Sequence, residues 1–427
     1  MALAGCGSSS HAALPRPVTS TATTPVRTTA PVVARVSLPV SPAQRALAAA
    51  LAAQLSAAGP DSGAVVYDIT AGRELYSLHA GVYRPPASVE KLYTSVAALS
   101  DLGANARLHT TVLGAGHLGP GGVWHGDLYL RGDGDPTFGD GSFNRVWEDG
   151  YGPTAGQLVG QLSRMGIRRV TGLVIGDASL FDARRGGPAT GFAPDIPDLG
   201  GQLAALTYDH GATTGHLSPG AFAARELALT MRGGHIQARA AKFTAPTPAD
   251  AQELASVSSP PVSVLLKLMD VPSDDFFAEM LAKQLGVRFG IGGTTEGGAE
   301  VIASAVAAFG VHPRIVDGSG LSRADRSTPL EVVDLLRSVW KTPTGRTLRA
   351  SLPVVGVNGT VQRIAVGTAA QGRCAAKTGT LNYVTNLAGY CNSSGSHVLA
   401  FALFLDGPSN STSIMLLGRM VAAIARY

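Results

Sequence analysis

The sequence predicts an α+β fold in which one helix-covered sheet is built from both ends of the chain, with a long β-rich insertion between the two contributions. Three observations predict it. Residues 43–107 pass from a helix through a β-hairpin to a second helix. Residues 108–265 break into short β-type runs between Gly/Asp/Pro-rich turns, and residues 266–427 return to helical patterning before closing on strands and a last helix. A length of 427 residues accommodates two or three domains at roughly 100–200 residues each.

Ala43–Ala58 is rich in Ala and Leu and follows Ser41-Pro42, an N-cap residue and a proline suited to the first helical position. Ser62–Asp68 alternates and is rich in β-formers; the turn Thr70-Ala71-Gly72-Arg73 leads into Glu74–Leu78, completing a hairpin. Pro85-Pro86-Ala87-Ser88 opens a helical run, Val89–Leu102. Ser88 therefore falls at a helix N-terminus, where free N–H groups and the dipole favour negative charge. In the middle of the chain the β-type runs are Asp127–Leu130, Val170–Ile175, Glu226–Met231 and His235–Ala238. Helical patterns follow at Val262–Leu268, Asp275–Leu285, Gly298–Phe309 and Leu330–Val339. Strands at Arg373–Leu381, Val384–Cys391 and His397–Leu405 precede a final helix, Ser411–Tyr427.

A hydrophobic fraction of 45% against 15% charged residues suits a globular chain with a substantial core. The net charge of +4 is small and the basic residues form no run, which argues against a nucleic-acid partner. Lysine is scarce: six (Lys91, Lys242, Lys267, Lys283, Lys341, Lys377) among 34 basic residues, so each one invites a question about its role.

Leu3-Ala4-Gly5-Cys6 has the form of a lipobox, the cut site before a cysteine that becomes lipidated. Only five residues precede Cys6, short of the roughly 15–30 of a secretory signal. Either the true start lies upstream or the match is accidental. Residues 7–42 are rich in Ser, Thr, Pro and Ala, the composition of a tether, so residues 1–42 suggest an exported domain held at a surface. An N-terminal lipid is the one membrane contact expected, because no stretch approaches the roughly 18 apolar residues of a span.

Counting back from the short turn Asn382-Tyr383 places Cys374 directly opposite Cys391 on an antiparallel hairpin. A disulfide is expected there and would indicate an oxidising compartment; two buried thiols are the alternative.

Three short motifs carry chemistry. In Ser88-Val89-Glu90-Lys91 one helical turn separates hydroxyl from amine, so the lysine can act as base to a serine nucleophile. The same spacing recurs at Ser338-Val339-Trp340-Lys341, but mid-helix and without a preceding turn, which favours Ser88. Lys377-Thr378-Gly379-Thr380 on an edge strand offers a cation and a hydroxyl to a carboxylate, with Gly379 admitting close approach of a substrate backbone. Ser273-Asp274-Asp275 opens a helix; it is either a plain cap or a hydroxyl that relays protons. The order Ser-x-x-Lys, Ser-Asp-Asx, Lys-Thr-Gly is that of penicillin-binding proteins and class A β-lactamases.

On these motifs the chain resembles the D-Ala-D-Ala carboxypeptidase/endopeptidase family of low-molecular-mass class C penicillin-binding proteins, the DacB type, from about Leu47 to the C-terminus. Further matching segments are Pro86-Ala87-Ser88 with Lys91–Thr94, Gly132–Thr137, Ala278-Glu279, Asp317–Arg323 and Gly356–Thr360. The resemblance implies a penicillin-binding/serine β-lactamase-like transpeptidase domain, residues 43–107 plus 266–427, carrying an inserted domain over 108–265. It also implies acylation of Ser88 by peptidoglycan stem peptides, or by β-lactams, followed by hydrolysis without metal or cofactor. Lys91 would be the base, Ser273 the proton shuttle, and Lys377 with Thr378 the carboxylate holders. The N–H groups of Ser88 and Thr380 would form the oxyanion hole. Arg323 would bind the free carboxylate of diaminopimelate, with Asp195 or Asp198 meeting its amine. The chain departs from the family at Asp275, where the third motif has Asn. An ionised Asp cannot donate to the substrate carbonyl and would instead pair with Lys91, opposing its work as a base. Asn382 replaces a Ser of relatives beside the carboxylate, a milder change. A β-lactamase is the weaker alternative, because no Glu-bearing loop supplies a deacylating base. A peptidoglycan-binding protein that does not cut is favoured only by Asp275.

Overall fold

A computed structural model describes residues 40–427; the expectations for Cys6 and the tether up to residue 39 lie outside the described residues. Along the chain, α1 (Pro42–Ala58) precedes the hairpin β1 (Gly63–Asp68) and β2 (Arg73–Leu78), then α2 (Lys91–Ala97). The middle of the chain holds β3 (His109–Gly119), β4 (Val123–Gly132), α3 (Gly141–Trp147), α4 (Ala155–Arg164), β5 (Arg169–Val170) and β6 (Val174–Asp177). It continues through α5 (Ile196–Leu199), α6 (Pro219–Gly233), β7 (Ala240–Thr244) and β8 (Gln252–Ser258). Then come α7 (Val262–Asp270), α8 (Asp275–Phe289), α9 (Thr295–Ala307), α10 (Pro329–Val339) and α11 (Pro343–Ser351). The chain closes with β9 (Cys374–Leu381), β10 (Val384–Asn392), β11 (Val398–Asp406) and α12 (Asn410–Arg426).

The first sheet runs β2-β1-β11-β10-β9, every neighbour antiparallel, so the last strand of the chain lies against the first. Strand β11 explains how the sheet is covered. Leu399, Phe401, Leu403 and Leu405 pack with α1 and α12, whereas Ala400, Ala402 and Phe404 pack with α2 and α7–α10. Side chains alternate between faces with period two, so a strand clad on both sides must be apolar throughout. The second sheet, β7-β6-β4-β3-β8 with β5 beside β4, is drawn wholly from residues 109–258 and packs on α4 and α6.

Three expectations need correction here. Glu226–Met231 is not a strand but part of α6, and His235–Ala238 contributes only an isolated bridge at Gln237. Ser218 caps α6 by accepting from Ala221 N, and Pro219 occupies its first turn. Leu227 and Met231, spaced by four, face the core together, which the local β-forming residues concealed. The helical run after Ser88 is also shorter: α2 ends at Ala97 and passes into a π-type turn, Ala98–Leu102.

Cys374 and Cys391 are partners in the β9–β10 register and are joined by a disulfide, with Cα atoms 4.0 Å apart. Among the described residues no helix is long and apolar enough to cross a membrane.

Candidate active site

Ser88 lies in the one-turn 3-10 segment Ala87–Glu90, which runs directly into α2. That turn is wedged from two sides. Asn386 of β10 donates its side-chain amide to the carbonyls of Pro85 (3.0 Å) and Pro86 (2.9 Å). Opposite, Gly320, at φ 83°, is packed so tightly on the Ala87 carbonyl that a Cβ would collide with it. Ala87 itself is held at φ 49°, a conformation that costs a non-glycine residue energy and marks a site over-determined by its surroundings.

Gly379 of β9 completes the wedge. An ideal Cβ there would lie 2.5 Å from the Pro86 carbonyl oxygen and 3.1 Å from Ser88 N. The glycine expected to admit a substrate backbone is therefore required by the protein's own turn.

Lys91 is wholly buried, and its Nζ reaches Ser88 Oγ at 3.0 Å, the Ser319 carbonyl at 2.8 Å and the carboxylate of Asp275. An ammonium would donate to all three. A neutral amine has two N–H groups, enough for Ser319 and Asp275, leaving its lone pair for the Ser88 hydroxyl. The Ser319 carbonyl is aimed by the loop that carries it. Asp317 accepts from Gly320 N (2.6 Å) and Ser322 N (2.8 Å), while Glu279 of α8 accepts from Gly318 N (3.0 Å) and Ser319 N (2.9 Å).

Behind Lys91 lie the buried carboxyls Glu90, Glu279, Asp317 and Asp325. Burial, then neighbouring acids, push Glu90 well above the usual range, Glu279 to about 8 and Asp325 to about 11. Asp275 is the carboxylate in direct contact with the amine.

Ser273 adopts φ 68° just before α8, and the helix is capped not by it but by Asp274, which accepts from Phe277 N at 2.9 Å. The freed Ser273 hydroxyl accepts from Lys377 Nζ at 2.6 Å; that amine also donates to the Thr378 carbonyl at 3.0 Å. Lys377 is fully buried, and desolvation, followed by repulsion from Lys91, lowers it to about 7. Asp270, which accepts from Ser95 (3.1 Å) and Ser351 (2.6 Å), is raised by burial to about 6 and opposes that shift only in part.

Ser88, Ser273, Asp275, Thr378 and Thr380 line one cavity of about 560 Å³. Sequence reasoning thus identified residues from three distant segments that the fold brings together. Other expected residues stand apart from this cavity's walls. Arg323 donates to the Asn382 carbonyl, and neither lines it. Asp195 caps the short α5, accepting from Asp198 N at 3.3 Å, and neither acid lines it. Asn386 was missed, although an asparagine within the largely apolar strand sequence of β10 is itself a signal. Thr360, which accepts from Thr378 Oγ1 at 2.7 Å, and Arg363 were missed as well; both line the cavity from a connection whose only regular element is the 3-10 turn Gly359–Val361.

Comparison with known proteins bears on the family of the whole chain. The model of the D-Ala-D-Ala carboxypeptidase 3 (S13) family matches residues 43–219 and 198–426. The D-alanyl-D-alanine carboxypeptidase of Actinomadura sp. (strain R39) is 29% identical, over 86% of this chain and 82% of the relative. Carboxypeptidase DacB of Mycolicibacterium smegmatis is 31% identical, over 88% of this chain and 83% of the relative. Penicillin binding protein 4 (dacB) of Haemophilus influenzae superimposes with a TM-score of 0.74 at 19% identity, covering 88% of this chain and 99% of that one. The same protein has been solved in complex with a β-lactam. With its mixed helix-and-sheet architecture and this family match, the chain belongs to the D-Ala-D-Ala carboxypeptidase 3 (S13) family.

Proposed function

We propose that Ser88 is the nucleophile through which this S13-family protein works as a penicillin-sensitive serine D-Ala-D-Ala carboxypeptidase on peptidoglycan stem peptides. The supporting observation is the 3.0 Å contact between Lys91 Nζ and Ser88 Oγ, at the wall of a cavity shared with Ser273 and Thr378. Ser88 Oγ attacks the penultimate D-Ala carbonyl while Lys91 takes its proton; the N–H groups of Ser88 and Thr380 receive the developing oxyanion. The C–N bond breaks, Ser273 passes a proton to the departing nitrogen, and D-alanine leaves. Water then hydrolyses the acyl-enzyme on Ser88. β-Lactams enter by the same attack, and the same chemistry extends to an endopeptidase cut when the departing amine belongs to a cross-link.

Residues 108–265 serve as an inserted domain beside the catalytic one, and Arg323, Asn382 and Asp195 contact the substrate outside the cavity's walls. The work is done outside the cytoplasm, as cell-wall substrates require, with Cys6 as a lipid-anchor candidate. A protein that binds peptidoglycan or penicillin with little turnover is the second reading, favoured by the Asp275–Lys91 ion pair. The test is release of D-alanine from N,N′-diacetyl-L-Lys-D-Ala-D-Ala: wild type turns over and Ser88→Ala does not. Equal release by both would reject Ser88.

A further inference from the structure

The cleft raises a question of charge. A substrate ending in a free D-alanine brings a carboxylate, and Lys377 is the side chain expected to receive it. Yet Lys377 is fully buried, and its amine already donates to Ser273 (2.6 Å) and the Thr378 carbonyl (3.0 Å). Desolvation, then repulsion from Lys91, lowers it to about 7, which weakens its hold on an anion. Asp275 adds a negative charge to the same wall. Among the described residues lining the cavity, Arg363 is the only cation.

Arg363 is exposed, and the described residues give it no acidic partner. Its loop is nevertheless held in place. Val354 N donates to Asn358 Oδ1 at 2.7 Å, Gly356 N to the Val361 carbonyl at 3.0 Å, and Thr360 N to the Val271 carbonyl at 3.1 Å. Gly359, at φ 57°, fits so closely on that same Val271 carbonyl that no side chain could replace it. The loop is thereby tied to the end of α7, two residues before Ser273, and the Thr360 hydroxyl meets that of Thr378 at 2.7 Å.

We propose that Arg363 is a specificity-determining residue, its guanidinium receiving the free carboxylate of the departing residue alongside the hydroxyls of Thr360 and Thr378. The inference rests on the reading of Ser88 as the nucleophile. A guanidinium stays charged at every accessible pH and offers paired donors to a carboxylate, which a buried amine already hydrogen-bonded to two protein oxygens does not. The site would therefore prefer a free terminal carboxylate over its ester or amide.

The experiment compares acylation of Ser88 by benzylpenicillin and by its methyl ester, followed by intact-mass spectrometry, in wild type, Arg363→Gln and Arg363→Lys. Loss of one charge-assisted pair predicts that Arg363→Gln slows the free acid by about tenfold to a hundredfold and leaves the ester within about twofold. Arg363→Lys should recover part of the preference for the acid. An equal slowing of acid and ester, or no slowing of either, overturns the role of Arg363 while Ser88 stands. Absence of any adduct on Ser88 in wild type overturns both. Hydrolysis of N,N′-diacetyl-L-Lys-D-Ala-D-Ala supplies an independent reading: the substitution should raise KM, and an effect confined to kcat would contradict carboxylate binding.

Discussion

The two lysines of the site are equally buried but differently surrounded. Lys91 is in direct contact with the carboxylate of Asp275, with the buried carboxyls of Glu90, Glu279, Asp317 and Asp325 behind it. Lys377 has two neutral oxygens in contact and feels Asp270 only as a secondary influence. Removing an ammonium from water is costly unless a counter-charge offsets the loss. In the second niche nothing offsets it fully, so Lys377 falls to about 7. Similar amines on similar hydroxyls thereby meet different surroundings; in the proposed mechanism Lys91 serves the nucleophile Ser88, and Lys377 sets the state of the relay serine, Ser273.

The largest expected effect comes from emptying the first niche. Lys91→Met should slow acylation of Ser88 by about a thousandfold, within the range typical of a lost general base, measured by stopped-flow with a chromogenic cephalosporin. A loss under tenfold would move the base elsewhere.

The second niche predicts a pH dependence. Because the level of Lys377 is lowered to about 7, its charge is present below that pH and lost as pH rises through it. The charged amine donates to Ser273, leaving that hydroxyl's own proton free to pass to the departing nitrogen. Acylation should therefore carry a falling limb with a midpoint near 7. Lys377→Gln should be about a hundredfold slower and lack that limb; a limb that survives the substitution would belong to another group.

A smaller effect, about tenfold and in the opposite direction, is expected from Asp275→Asn, which removes the counter-charge of Lys91 and restores a donor for the substrate carbonyl. Faster acylation supports the contrast between the niches. A slower variant would mean that the carboxylate has been recruited into the mechanism.

The smallest effect concerns the hairpin that carries Lys377. Alkylation under denaturing, non-reducing conditions should modify neither Cys374 nor Cys391, and Cys374→Ala with Cys391→Ala should change acylation less than about twofold. The bond joins the far end of β9, away from Thr378 and Thr380. Modification of both thiols would remove the disulfide.

Much of this was legible in the sequence alone. The β9–β10 register followed from counting across Asn382-Tyr383, because a two-residue hairpin leaves one pairing available. Ser88, Ser273 and Lys377 were legible because each sits where local patterning changes, at a turn, a helix mouth and an edge strand. Helix α6 was not: Glu226–Met231 carries mixed local preferences, and packing against the second sheet decided them. Nor was Arg363, whose loop is fixed by the distant carbonyl of Val271 and by Gly359 rather than by any periodic pattern. Gly379 was chosen for a sound reason, close approach, but the approaching group is the turn before Ser88.

The atom that is acylated decides between Ser88 and every other nucleophile. Incubation with fluorescent penicillin, digestion and mass mapping should place the adduct on the peptide containing Ser88, and Ser88→Ala should be unlabelled while keeping the thermal unfolding midpoint of wild type. Labelling that persists in Ser88→Ala, or an adduct on Ser338, would contradict Ser88 as the nucleophile.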